Sequence, residues 1–119
     1  MSGSSTGGKD ILTGVDPTAA QPGVGEVDQL TGGKNSDRFV LGDASHVYYL
    51  GQGSNDYALI TDFSSAEGDL IQLKGSLSNY TLGFSGGSTT ISFNQDAPDL
   101  IAIVQGVDLT SQSSAFTFV

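Results

Sequence analysis

The feature that most constrains this chain is a period of nine. Read in nines from Ser5, the first half gives STGGKDILT, GVDPTAAQP, GVGEVDQLT, GGKNSDRFV, LGDASHVYY and LGQGSNDYA. The sixth position then reads Asp10, Ala19, Asp28, Asp37, His46 and Asn55. The eighth reads Leu12, Gln21, Leu30, Phe39, Tyr48 and Tyr57. An apolar or aromatic residue recurring at one register makes an inward column, and glycines ahead of it let the backbone curl. A repeat this short cannot bury its own apolar face, so it must stack on its neighbours. GGKNSDRFV, Gly32 to Val40, is the best-formed unit.

Stacking of such units predicts an all-β fold whose first part is a short parallel β-roll. Each nine supplies a turn and a short strand, and two units complete one coil. Turns on one edge are then expected 18 residues apart, at the ~4.8 Å spacing of neighbouring strands. GVDPTAAQP fits poorly, because its two prolines cannot donate to a ladder and its eighth residue is Gln21. Val15 to Gly23 reads equally as a surface loop, with Asp16–Pro17 as a turn.

Composition says what must help to hold such a coil together. Only 37% of the 119 residues are apolar and 17 are glycine, so a conventional core would be thin. No cysteine is present to form a disulfide. Acidic residues outnumber basic ones 13 to 4, for a net charge of −9, and aspartates outnumber glutamates 11 to 2. Short aspartates beside Gly, Asn and Ser suit oxygen-lined turns around a hard cation. Calcium is the cofactor this implies. Four scattered basic residues exclude a phosphate-binding surface, and hence nucleic acid. No run approaches the ~18 apolar residues that would insert in a membrane. The opening MSGSSTGGKD has no cleavable leader of the basic and apolar kind. That leaves an intracellular chain, export by another signal, or the end of a longer polypeptide.

Calcium takes six to eight oxygens at ~2.3–2.6 Å, more than one turn can offer. Two stacked turns reach that number with an aspartate each and several backbone carbonyls. Gly8, Gly25, Gly32 and Gly33 allow those carbonyls to face inward, and Asn35 adds an oxygen. By the 18-residue rule Asp10 pairs with Asp28. Asp28 in turn meets His46, which half-equips that site. Asp37 faces Asn55, with Asp56 one residue out of register. Lys9, Lys34 and Arg38 balance charge on the turns, and the lone His46 reads as a structural or surface residue.

From Tyr57 the texture changes to alternating strands. YALITDF and GDLIQLKG flank the turn SSAEG, where Asp62 and Asp69, with Glu67, offer either a further cation site or turn chemistry. Ile60, Leu70, Ile71 and Leu73 are expected to close the core beside Phe63. YTLGF and TTISF with SGGS between them read as a hairpin with a Gly-Gly centre. NQDAPD spaces Asn94, Asp96 and Asp99 loosely like a loop cation site, but Pro98 and the lack of glycine favour a solvated loop. LIAIVQGV reads as a strand buried on both faces, and AFTFV as a last alternating strand. Residues 1–58 are thus expected to be the roll and 59–119 an antiparallel β cap, in one continuous domain.

GGKNSDRFVLGD followed by NDYALITDFSSAEGDLIQLKG resembles the repeats-in-toxin (RTX) class of calcium-binding β-roll proteins. With YYLG, SNYTLG, LIAIVQGV and FTFV, nearly the whole chain is similar to the C-terminal domain of cyanobacterial RTX-like secreted proteins. The resemblance implies a secreted, extracellular module exported by type I secretion machinery reading an uncleaved C-terminal signal. It also implies turn aspartates as ligands, here Asp10, Asp28, Asp37 and Asp56. LGDASHVYY departs from the pattern by having lost its aspartate, so a few ions are expected and not a long ladder.

The function expected is therefore a calcium-binding structural module that folds outside the cell, as the C-terminal folding and secretion domain of a larger exported protein. The alternative is a calcium-dependent adhesin that binds carbohydrate or another surface, with Tyr48, Tyr49 and Tyr80 stacking on a surface glycan. In a core these tyrosines would point inward instead. A homo-oligomer is a further expected partner, through an apolar strand such as LIAIVQGV should it lie at a sheet edge. An enzyme is not expected, since one histidine and no cysteine make no nucleophilic triad.

Overall fold

The structure, a computed structural model, describes residues 3–4, 11–12, 27–31, 36–44, 47–49, 56–64, 67–94, 99–111 and 113–119. Among the described residues ten strands carry the fold: β1 (Gly3–Ser4), β2 (Ile11–Leu12), β3 (Val27–Thr31), β4 (Arg38–Val40), β5 (Tyr57–Ile60), β6 (Leu70–Leu73), β7 (Tyr80–Ser85), β8 (Ser88–Phe93), β9 (Asp99–Gln105) and β10 (Phe116–Phe118). Helical structure among the described residues includes two short 3₁₀ turns, Leu77–Asn79 and Ser113–Ala115. The chain is all-β, as its alternating patterns require.

The strands form two sheets, ordered β1-β3-β5-β9-β8-β7 and β10-β6-β4-β2. From β1 to β6 successive strands belong alternately to the two sheets, and within each sheet these strands run parallel. Leu12 lies beside Phe39, Phe39 beside Ile71, and Ile71 beside Phe116. In the other sheet Leu30 lies beside Ile60, and Ile60 beside Val104. All seven are buried and belong to one apolar cluster shared by the two sheets. Each such side chain contributes about 1.5–3 kcal/mol by leaving water. The eighth-position column is thus inward at Leu12, Leu30, Phe39 and Tyr48, and half-buried at Tyr57.

The register overturns the expected coil of 18. Leu12 to Phe39 is 27 residues, Leu30 to Ile60 is 30, and Phe39 to Ile71 is 32. A step of 27 is three nines, so it keeps the apolar column in phase as well as 18 does. The longest steps, Ala58 to Ala102 and Ile71 to Phe116, contain the inserted β7–β8 hairpin.

The expected antiparallel cap over 59–119 is also smaller than its sequence suggests. β6, β9 and β10 pair in parallel with earlier strands, and only β7–β8 and β8–β9 are antiparallel. Alternation along a strand reports its buried face and is silent on the direction of its neighbour. β9 sits between β5 and β8, so it is no sheet edge. Ile101, Ala102 and Val104 are buried, while Leu100 and Ile103 are half-buried, so burial is uneven and not equal on both faces. Leu70, expected in the core, is half-buried on the other face from Ile71 and Leu73. The Gly-Gly hairpin is present as read. Gly86 and Gly87 have φ of +59° and +81°, the backbone a two-residue primed turn demands.

Candidate functional site

The acidic residues of interest gather where strands begin. Asp37 immediately precedes β4 and Asp69 immediately precedes β6, and both are buried. Arg38 is in register with Leu70, which sets the two aspartates side by side at the starts of neighbouring parallel strands. The Leu70 amide donates to the Asp37 carbonyl at 2.9 Å. The Asp37 amide donates to Asp69 Oδ1 at 2.8 Å. The other carboxylate oxygen, Oδ2, accepts the Ser64 amide at 2.9 Å. One carboxylate therefore ties its own turn to the start of β4.

The turn that presents Asp69 is built locally. The amides of Glu67 and Asp69 donate to the Ser64 carbonyl at 3.2 and 3.1 Å. Gly68 has φ of +84°, and a Cβ there would stand 3.3 Å from the Ser36 Cβ, so the turn lies close against the chain leading into β4. Burial pushes the Asp69 carboxyl above its usual range. Its hydrogen bonds from Ser64 and Asp37 oppose that rise, and the nearby charges of Glu67 and Asp62 reinforce it. Asp37, Asp62, Glu67 and Asp69 thus concentrate negative charge around one turn, and Asp62 is half-buried.

The remaining expected ligands lie elsewhere. Asp28 is the second residue of β3, fully buried, at a position in line with Ala58 and Ala102. Its Oδ2 accepts the Tyr49 hydroxyl at 2.9 Å. It is an inward strand residue and not a turn residue. Asp56 is fully buried just ahead of β5, in the sheet opposite Asp37, so these two do not stack as the 18-residue rule expected. Asp37 finds its acidic neighbour in Asp69, 32 residues on. Asp10, Gly8, Gly25, Gly32, Gly33 and Asn35 lie outside the described residues, as do His46 and Asn55. The residue after Asp10 opens β2 of the four-stranded sheet, whereas Asp28 lies in the six-stranded one. Among the described residues, no three carboxylate, histidine or cysteine side chains are grouped to hold a metal ion.

Two residues carry more than their sequence context suggested. Tyr49 is fully buried at a φ of +61°, a conformation that side-chain-bearing residues rarely adopt. Its contact with Asp28 spans 21 residues and leaves no local signal. Asp99, read as part of a solvated loop, is buried as the first residue of β9, opposite Phe93. The apolar run LIAIV directly after it was the available signal. Tyr48, Tyr49 and Tyr80 are all buried, which removes the expected sugar-stacking surface at these positions. Among the described residues, no helix is long and apolar enough to cross a membrane. No protein-family model matches the chain, and no curated protein matches it.

Proposed function

We propose that this chain is a calcium-binding structural module, a short parallel β-roll that gains its folding energy from calcium. In this reading it serves as the C-terminal folding and secretion domain of a larger exported protein. The observation that carries the reading is the stacked pair Asp37 and Asp69, buried at neighbouring strand starts with Asp62 and Glu67 beside them. A carboxylate has about four lone-pair sites. Two of those on Asp69 are taken by backbone amides, which leaves oxygen capacity on a carboxylate already held in place. Oxygen donors suit calcium, and burial beside like charges is the cost that a divalent cation offsets.

Asp37 and Asp69 would hold the ion, with backbone carbonyls and water completing six to eight oxygens. Asp56 belongs to a second edge, and Asp28 is already engaged in the core by Tyr49. Bound calcium supplies charge neutralisation and a cross-link between coils. Without it, a glycine-rich chain of net charge −9 does not offset its conformational entropy and stays largely disordered. Binding energy then becomes folding energy. Low calcium inside a cell and high calcium outside fit export of the unfolded chain followed by folding outside. The test is far-ultraviolet circular dichroism in excess calcium and in excess chelator. A β signal that collapses in chelator and returns with calcium is expected; an unchanged signal in chelator would sink the proposal.

A further inference from the structure

Among the described residues the sheets have four terminal strands, and these are not equally protected against pairing with another chain. β1 and β2 have two residues each and β10 has three, and shortness alone blunts an edge. β7 has six residues, Tyr80–Ser85, at the end of the six-stranded sheet. It carries no charge, no proline and no bulge, the usual devices against edge pairing. The whole span from Gly75 to Gln95 lacks Asp, Glu, Lys, Arg and His, in a chain of net charge −9. Phe84, within it, is 50% exposed.

The hairpin fixes which backbone groups of β7 face outward. Ser85 and Ser88 flank the two-residue turn, and the Asn94 amide donates to the Asn79 carbonyl at 2.9 Å at the other end. Hydrogen-bonded and non-hydrogen-bonded pairs alternate along an antiparallel ladder. Residues 79, 81, 83 and 85 therefore bond to β8, and Tyr80, Leu82 and Phe84 aim their backbone groups away from it. The Tyr80 amide is taken by the Leu77 carbonyl. Leu82 and Phe84 present both an amide and a carbonyl at the edge.

We propose that β7 pairs antiparallel with β7 of a second copy of this chain, about a two-fold axis at Gly83. Leu82 then lies opposite Phe84 of the second copy, and that pair exchanges both backbone hydrogen bonds; the axis repeats it. Phe84 is covered by Leu82, on the same face as the buried Tyr80. Gly83 meets its own copy at the close, non-hydrogen-bonded position, ~4.5 Å between Cα atoms, where it has no side chain to interfere. A second copy is the occupant because the pattern is self-complementary and the span is neutral. Elsewhere two chains of this charge bring like charges together.

The test is sedimentation velocity of the folded, calcium-supplemented chain over a concentration series, with hydrogen exchange read at the Leu82 and Phe84 amides. A monomer–dimer equilibrium is expected, with exchange at these two amides slowing as the dimer fills. Phe84→Lys and, at an exposed flank, Ser85→Glu are expected to raise the dissociation constant by about tenfold or more, with circular dichroism unchanged. The proposal is overturned by a folded chain that stays monomeric to about 1 mM, by growth beyond a dimer, or by association that neither substitution weakens. Protection of the two amides that is independent of concentration overturns it as well.

Discussion

The backbone amide of Asp37 and the carboxylate of Asp69 meet at 2.8 Å across 32 residues of chain. That contact joins the start of one strand to the start of the strand stacked on it. The same carboxylate holds the Ser64 amide, so Asp69 satisfies two backbone donors at once. Asp69→Asn keeps one acceptor oxygen and turns an amide group toward the other donor. It is expected to cost about 1–3 kcal/mol in urea unfolding measured in calcium, and Asp69→Ala is expected to cost more. A neutral Asp69→Ala would contradict the role assigned to the contact.

Tyr49 and Asp28 make the comparable contact inside the core. Tyr49→Phe keeps the ring and removes the hydroxyl that donates to Asp28 Oδ2. Removing one partner of a buried hydrogen bond costs about 1–3 kcal/mol, and a loss of that size is expected in denaturant unfolding. Combined with Asp28→Ala, the two losses should fall short of their sum, since both remove one interaction.

Tyr80 and Tyr48 predict behaviour at alkaline pH. Burial pushes the Tyr80 hydroxyl up to about 12, and that hydroxyl donates to the Lys74 carbonyl at 2.7 Å. Burial raises Tyr48 as well, helped by its hydrogen bond to Asp43 and by the Asp43 charge. Both groups are neutral when protonated and hold their protons more tightly in the folded chain. Their contribution to stability is full below the ordinary tyrosine value of 10.0 and is lost as pH rises through the folded values. Absorbance at the phenolate band should therefore show these two ionising together with loss of the β signal. Tyr80→Phe should move that transition to higher pH.

The hairpin turn gives a backbone prediction. Gly86 and Gly87 both sit at positive φ, and a Cβ at either meets nothing within 4 Å. The penalty for alanine there is conformational and not steric, about 1–2 kcal/mol each. Gly86→Asn should be nearly neutral, because asparagine tolerates this region and Asn-Gly favours the same turn. Urea midpoints of the three variants would order them.

How far these features were legible varies with the length of chain that decides them. The hairpin could be read because the two glycines and their alternating flanks are local. The inward column could be read at Leu12, Leu30 and Phe39, since each repeats at nine. The coil step could not, because 18 and 27 are both multiples of nine and leave that column equally in phase. Hence the nine-residue period points Asp37 to position 55, whereas its neighbour in the sheet is Asp69, beyond β5 in the chain. The Asp28–Tyr49 bond was hidden for a similar reason: nothing near Tyr49 in sequence shows that its hydroxyl reaches a carboxylate in another strand. Pairing direction was equally silent, so β6 and β10 read as cap strands although they extend the parallel rows.

The central claim is that calcium binding supplies folding energy, and a thermal unfolding series over calcium concentration tests it most directly. An ion that binds only the folded chain stabilises it by about 2.7 kcal/mol at a hundredfold excess over its dissociation constant. For a chain of this size that is a rise of roughly 10 °C in Tm, continuing with the logarithm of calcium and absent with magnesium in its place. Asp69→Asn should flatten the dependence. A cooperative transition whose midpoint is the same in chelator and in excess calcium would contradict the account.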